Sequence, residues 1–142
     1  MAEPIVREAE SGDDFQACLP LFQILNPEMS KGEYNHNIEL GKKLGRKIFV
    51  MEKDGTIIGV TSFTELSDPS MGPYILLSHT IVHQDHRGHK YGKQLLDFVE
   101  NYARQHQYPI IRIITQGFRI DAHAFYQKYE YEQTRLIFEK QA

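Results

Sequence analysis

Residues 81–96 read IVHQDHRGHKYGKQLL, and they join a strand pattern to a helix pattern through a short basic turn. The β-branched residues before the turn, from Thr80 to Val82, favour an extended strand. After the turn, apolar residues recur every three or four positions, at Leu95, Phe98, Val99, Tyr102 and Ala103. This spacing predicts an amphipathic helix over 87–106, which follows directly on the strand.

The turn has the composition of an anion-binding site. It contains Arg87, Gly88, His89, Lys90, Tyr91, Gly92 and Lys93. Backbone N–H groups at the start of a helix have no partner within the helix, and the helix dipole places partial positive charge there. Glycine lets an anion approach the backbone, and cationic side chains add to the attraction. The turn therefore predicts a pyrophosphate site; the alternative is a solvated loop whose basic side chains face water.

The same turn resembles the acetyl-CoA-binding motif of the GNAT superfamily of N-acetyltransferases, Arg/Gln-x-x-Gly-x-Gly/Ala. Here the motif reads RGHKYG over 87–92, and Lys90 stands where the family usually has its middle glycine. Residues 121–131, DAHAFYQKYEY, are similar to the second landmark of the family, Ala-x-x-Phe-Tyr-x-x-x-Gly-Phe/Tyr. In this second landmark Glu130 replaces the usual glycine.

The resemblance implies a mixed α/β fold, a centrally splayed sheet flanked by helices in the order β-α-α-β-β-β-α-β-α-β. It implies one domain over 1–142 and acetyl-CoA as the acetyl donor. The turn from Arg87 to Lys93 would bind the pyrophosphate, and the main chain around Ile81 and Val82 would bind the pantetheine arm. The cofactor would enter a gap between residues 81–82 and 113–115.

Local patterns place the other elements of this order. A first strand is expected at 5–8, and serines at positions 11 and 30 are typical caps of the two helices that follow. Asp54 and Gly55 predict the turn of a hairpin formed by 47–52 and 56–65. Further strands are expected at 74–82, 110–115 and 134–138, with a helix at 121–129 before the last strand.

Acetyl transfer needs a general acid for the departing thiolate and a neutral amine. The resemblance assigns the acid to Tyr126, since a phenol has an ordinary pKa of about 10 and is protonated at neutral pH; a packing role is the alternative. For a base, the candidates are His79 and Glu65, and bulk water is a third possibility. Acceptor contacts are expected from Glu33, Tyr34 and Glu65, although the two residues at 33–34 also suit a solvated helix face.

Composition restricts the classes of function and the kinds of site that the chain can have. A net charge of −3 argues against general affinity for nucleic acid or membranes. Cys18 is the only cysteine, which excludes an internal disulfide, and the spacing of the histidines does not suggest a metal site. We expect a cytoplasmic enzyme, a monomer or homodimer, whose partners are acetyl-CoA and an amine acceptor. It would move an acetyl group to a primary amine of a small molecule or peptide by direct attack in a ternary complex. The alternative is a catalytically silent acyl-CoA-binding sensor or regulatory module.

Overall fold

The computed structural model describes residues 3–115 and 120–142. Its elements are β1 (Ile5–Glu8), α1 (Gly12–Leu25), α2 (Lys31–Lys43), β2 (Arg46–Lys53), β3 (Thr56–Asp68), β4 (Gly72–Val82), α3 (Tyr91–Gln105), β5 (Ile111–Ile113) and α4 (Ile120–Lys128). A short 3₁₀ turn, Gln84–His86, lies between β4 and α3. The expected mixed α/β class and the element order as far as α4 are confirmed.

The five strands form one sheet in the order β1-β2-β3-β4-β5. The first four strands are antiparallel to their neighbours, while β5 runs parallel to β4. The hairpin expected between β2 and β3 is present, and Asp54 and Gly55 at its turn have the positive φ values, 51° and 79°, that such turns require. A parallel pair needs a crossover connection, and α3 supplies it.

Helices cover both faces of the sheet. The face under α1 and α2 buries an apolar cluster that includes Cys18, Leu21, Tyr34, Val50 and Val60. The opposite face packs against α3, and its cluster includes Phe49, Phe63, Leu77, Leu96 and Val99. Consecutive residues of β2 point to opposite faces of the sheet, as strand geometry requires.

The first helix is fixed to the sheet by a cap and an ion pair. Ser11 accepts a hydrogen bond from the N–H of Asp14, and the Asp14 carboxylate completes a capping box at the backbone of Ser11. Arg7 of β1 donates two hydrogen bonds to the same carboxylate, at 2.8 and 2.9 Å. These hydrogen bonds hold the pKa of Asp14 well below its usual range. One carboxylate therefore caps α1 and ties it to β1.

The sheet is splayed at its centre, as expected. The pairing of β4 with β5 extends only over residues 75–77 and 111–113. In the pairing of β4 with β3, Ser62 lies opposite His79 while Phe63 lies opposite Leu77, so Ser78 is an extra residue on β4. A bulge of this kind turns the following side chains to the other face of the sheet. Leu77 therefore faces α3, whereas His79 faces the side of α1 and α2.

Three expectations about the later elements were wrong. The strand expected over 110–115 is β5, which covers only Ile111–Ile113. The helix expected over 87–106 begins four residues later, because Lys90 adopts a left-handed backbone conformation, φ 63° and ψ 24°, which no α-helix contains. The strand expected over 134–138 is not part of the sheet, and Leu136 and Phe138 are 77% and 91% exposed. A run of β-favouring residues forms a strand only where it pairs with an edge, and this run does not pair with the described strands. No helix among residues 3–115 and 120–142 has the length and apolar character needed to cross a membrane.

Candidate active site

A cleft of about 440 Å³ opens where β4 separates from β5. One wall is the end of β4, from Ser78 to Val82, and the other contains Ile114, Thr115 and residues of α4. The hydroxyl oxygen of Thr80 is buried in this region and has no hydrogen-bond partner among the described residues. Strand residues beyond Leu77 have lost their neighbour in β5, so main-chain groups of β4 are available to an extended ligand.

The basic turn closes one end of this cleft. Gly88 has a φ of 86°, which a side chain would strain, although a Cβ built there would meet no atom within 4 Å. Lys90 is the N-cap of α3, and it makes no capping hydrogen bond through its side chain. The first N–H bonded within the helix is that of Gln94, which donates to the Lys90 carbonyl at 3.1 Å. The N–H groups of residues 91–93 thus lie at an uncapped, positively polarised helix start beside the cleft.

Gly92 lets the turn and α4 pack closely. A Cβ built on Gly92 would lie 3.4 Å from a ring carbon of Phe125. That ring also contacts the rings of Tyr126 and Tyr129, with centroids 5.4 and 5.1 Å away. The glycine of the turn therefore positions α4, and with it Tyr126, against the start of α3.

The cationic side chains of the turn differ in their contacts. Lys93 lies next to Asp97, which raises the pKa of the Lys93 ammonium through their hydrogen bond. Arg87 is exposed, and its Nε donates to the carbonyl of Val82 at 3.3 Å. Lys90 is also exposed and lines the cleft. Arg87 and Lys90 therefore present charge at the mouth of the cleft, while the charge of Lys93 is paired with that of Asp97.

A second cavity of about 420 Å³ lies between α1, α2 and the sheet. Leu25 and His79 line both this cavity and the cleft, so the two spaces are adjacent at these residues. The Nδ1 atom of His79 lies 2.7 Å from the hydroxyl of Ser62, which is fully buried. The ring of Phe22 stands edge-on to the imidazole, with centroids 5.1 Å apart. Ser62 and Phe22 thus fix the orientation of the imidazole at the junction.

Tyr126 lies on the other side of the cleft, on α4. Its ring stands edge-on to that of Tyr131, with centroids 6.0 Å apart. Tyr131 in turn donates a hydrogen bond to Glu100 of α3 at 2.8 Å, and burial raises the pKa of its phenol. The landmark sequence at 121–131 therefore packs α4 against α3 and brings Tyr126 to the cleft.

A cleft in a splayed sheet, closed by a glycine-containing turn before a helix, is the arrangement that the sequence resemblance implies. The model of the acetyltransferase (GNAT) family matches residues 14–131. The chain belongs to this family. As a GNAT protein it is an N-acetyltransferase, and acetyl-CoA is its acetyl donor. No curated protein sequence matches the chain.

Solved structures with a similar fold include three that span almost the whole chain. A transcriptional regulator from Bacillus halodurans C-125 has a TM-score of 0.85 at 17% identity, covering 99% of this chain and 100% of that chain. A ribosomal-protein-alanine N-acetyltransferase from Brucella melitensis biovar Abortus 2308 has a TM-score of 0.83 at 18% identity, with the same coverage. An aminoglycoside N-acetyltransferase in complex with CoA has a TM-score of 0.81 at 19% identity, covering 98% and 95%. At these identities the similarity establishes the GNAT fold.

The GNAT cleft brings together most of the residues selected from the sequence. The expected cofactor residues Ile81, Val82, Arg87, Gly88, Lys90, Tyr91, Gly92 and Lys93 line it, together with Tyr126 and His79. His89 is exposed in the same turn, and its ring lies 5.4 Å from that of Tyr91. Thr80 was not selected from the sequence, although its place beside two expected main-chain contacts was a usable signal.

Three other selected residues lie elsewhere or already have a structural partner. Glu65 faces α3, where its carboxylate accepts a hydrogen bond from Tyr102 and lies 3.9 Å from Lys47, so it does not reach the second cavity. Glu33 is exposed near the start of α2 and does not line that cavity. Tyr34 does line it with its ring, but its hydroxyl donates to the carbonyl of Phe15 and braces α2 against α1. Of the two candidate bases, only His79 lines the cleft and the second cavity.

Two residues of the second cavity were missed. Ser62 gave no signal, because a serine in a strand has no feature that distinguishes an orienting hydroxyl from an ordinary buried one. Arg46 lines the same cavity, and it stands beside Lys47 in the sequence with nothing to separate the two cations. Among the described residues, no group of three His, Cys, Asp or Glu side chains could hold a metal ion.

Proposed function

We propose that this GNAT protein acetylates a primary amine of a small molecule or peptide, and that the amine attacks the thioester directly in a ternary complex. The observation that carries the proposal is that His79 lines both the cleft and the second cavity. One space suits the donor and the other suits the acceptor, so both substrates can be bound at once. Such an arrangement gains from the proximity of the reacting groups.

On the donor side, the turn and β4 do the binding. The N–H groups of residues 91–93 and the cations Arg87 and Lys90 suit the pyrophosphate of acetyl-CoA. The main chain at Ile81 and Val82 suits the amide groups of the pantetheine arm, as does the hydroxyl of Thr80, which has no partner among the described residues. Acetyl-CoA supplies the activated thioester, and the protein supplies the orientation.

His79 is the base in this proposal. Its Nδ1 lies next to the hydroxyl of Ser62, and in this proposal Nε2 accepts the proton of the amine. An imidazole titrates near neutrality, which suits a general base at physiological pH. Ser62 acts as a positioning residue, because its hydroxyl holds the ring in one orientation.

Tyr126 is the acid in this proposal. It lines the cleft from α4, on the wall opposite β4, and its phenol would give its proton to the departing sulfur. The base and the acid thus approach the reacting centre from the two walls of the splayed sheet. The aromatic contacts with Phe125 and Tyr131 hold the phenol ring in place.

The test is release of CoA with acetyl-CoA as donor over a panel of primary amines. The panel includes aminoglycosides, amino sugars and peptides with free N-termini, because similar folds include an aminoglycoside N-acetyltransferase, a glucosamine-6-phosphate N-acetyltransferase and a ribosomal-protein-alanine N-acetyltransferase. A ternary complex gives intersecting lines when both substrates are varied, whereas parallel lines would refute direct attack. No turnover by a folded protein that binds CoA would refute the proposed reaction and favour a silent acyl-CoA sensor.

Variants of His79 separate its role from that of bulk water. His79→Gln should lower kcat/KM by about 10²-fold or more, the usual contribution of a positioned base, and remove the acidic limb of the pH profile, on which activity falls as the base becomes protonated. Ser62→Ala should move that limb and slow turnover less. His36→Gln is the matched control, since His36 is exposed on α2 and lines neither space. An unchanged pH profile in His79→Gln would overturn the assignment.

A further inference from the structure

An arginine forms one end of the second cavity. Arg46 is the first residue of β2, and its partner on β3, Thr64, lines the cavity beside it. The stem of Arg46 packs over Gly41 of α2, where a Cβ would lie 3.6 Å from both Cβ and Cδ of the arginine. Gly41 therefore leaves room for the arginine stem between α2 and the sheet.

Among the described residues, the Nε atom of Arg46 has no hydrogen-bond partner, unlike the ammonium groups of two neighbouring lysines. This Nε atom is buried. By contrast, Lys42 pairs with Glu39 at 3.3 Å, and Lys47 donates to the hydroxyl of Tyr102 at 3.0 Å. Buried donors in folded proteins nearly always have an acceptor, and an unmade bond is costly. An acceptor brought by a ligand would satisfy this donor.

The charge of the cavity points to the kind of ligand. None of the described residues that line the cavity is an aspartate or glutamate. Two of them, Lys42 and Arg46, are cations. The acidic residues of α2 nearest to it in sequence, Glu33 and Glu39, are exposed. A ligand whose only charge is positive would therefore meet the charge of Arg46 and a lysine that is already paired with Glu39, while an oxyanion would meet a donor fork that matches its geometry.

We infer that the acceptor of this enzyme carries an anionic oxygen group, a carboxylate or a phosphate, together with its amine, and that Arg46 binds this group. The inference rests on the proposed function, since it names the class of acceptor for the same site. Arginine binds either anion through paired hydrogen bonds, so the chemistry is common to the two.

The register of the sheet gives the distance between Arg46 and His79, which lie at the two ends of the cavity. Arg46 and His79 lie two strands apart and two residues apart along the strands. Strand spacing and rise place their Cα atoms about 12 Å from each other. The amine at His79 and the anion at Arg46 would thus lie at different ends of the cavity. This separation suits an acceptor whose two groups are joined by a chain of several bonds, rather than by a single carbon.

The test compares propylamine, 1,3-diaminopropane, 4-aminobutanoate and 3-aminopropyl phosphate as acceptors. We expect kcat/KM for the better anionic amine to exceed that for propylamine by about 30-fold or more, and Arg46→Gln to remove this advantage. The comparison of 4-aminobutanoate with 3-aminopropyl phosphate shows whether the site prefers a carboxylate or a phosphate. Arg46→Glu should reverse the order and favour 1,3-diaminopropane. Lys43→Gln is the matched control, because it removes the same charge from an exposed position three residues away.

A binding measurement separates failure of this inference from failure of the proposed function. Each amine is titrated into the CoA-saturated protein by calorimetry, with Arg46→Gln and Lys43→Gln in parallel after their melting temperatures have been compared with wild type. Tighter binding of an anionic amine, lost only in Arg46→Gln, would support the inference even if nothing is turned over. If propylamine binds and reacts as well as both anionic amines, the inference is overturned while acetyl transfer stands. If neither anionic amine binds, the inference is also overturned.

Discussion

Lys90 occupies a backbone conformation that favours glycine, and replacing it should stabilise the protein. Its φ of 63° and ψ of 24° lie in the left-handed region, which costs an L-residue roughly 1–2 kcal/mol. Glycine adopts this conformation without that cost but loses more entropy on folding, by roughly 0.5–1 kcal/mol. Glycine is also preferred to most residues at an N-cap. We therefore expect Lys90→Gly to increase the free energy of unfolding by about 1 kcal/mol, or the melting temperature by about 3 °C.

The assay is thermal and urea unfolding of Lys90→Gly beside two other variants. Glu130→Gly should also stabilise the protein, since Glu130 has a φ of 72° and lies just beyond α4. Lys43→Gly makes the same substitution as Lys90→Gly within α2, where φ is helical, and should destabilise by up to about 1 kcal/mol. If Lys90→Gly and Lys43→Gly change the free energy of unfolding in the same direction, the conformational argument is refuted. Loss of the exposed Lys90 cation should weaken CoA binding only a few-fold.

Three further predictions concern the cleft and the fold. Tyr126→Phe keeps the ring but should slow the single-turnover rate by about 10²–10⁴-fold with little change in CoA affinity; an unchanged rate would make Tyr126 a packing residue. Gly92→Asp places a carboxylate against the ring of Phe125 and at the anion site, so CoA affinity should fall more than tenfold. Gly92→Ala adds only a Cβ, 3.4 Å from that ring, and should have a small effect. If Gly92→Asp binds CoA as tightly as wild type does, the pyrophosphate assignment is refuted. Arg7 lowers the pKa of Asp14, so this carboxylate stabilises the fold above its unfolded pKa near 3.8, and the stabilisation is lost as the pH falls below that value. Asp14→Asn should therefore lower the melting temperature at pH 7 but much less at pH 2, and an equal loss at both would contradict the linkage.

The two departures from the family motifs acquire a physical meaning in the structure. Both Lys90 and Glu130 stand where the resemblance places glycine, and both have a left-handed φ. The motif positions therefore reflect backbone conformation, and the chain keeps the conformation with residues that strain it. The sequence alone could locate the turn and the landmark, because glycine and helical periodicity are local signals. It could not show whether the backbone had changed with the residues.

The orientation of His79 depended on a pairing between strands that no local pattern reveals. Strict alternation along 74–82 places residues 77 and 79 on the same face of the sheet. The extra residue at Ser78 breaks this alternation, and it can be recognised only when β4 is aligned with β3. Without the bulge, the imidazole would lie in the apolar layer under α3. Its place at the junction of the two spaces is thus a property of the register.

The residues of the second cavity also depend on strand pairing, which the sequence alone does not reveal. The sequence predicts acceptor contacts from Glu33 and Tyr34 of α2. In the structure Glu33 is exposed and does not line the second cavity, whereas Arg46 of the sheet does. Arg46 and Lys47 are adjacent cations that point to opposite faces, and the pairing of Arg46 with Thr64 and of Lys47 with Phe63 fixes which face each takes. A shift of one residue in that register would exchange them. If Arg46 binds the anionic group of the acceptor, acceptor preference depends on the β2–β3 hairpin, which places an arginine rather than a lysine at that end of the cavity.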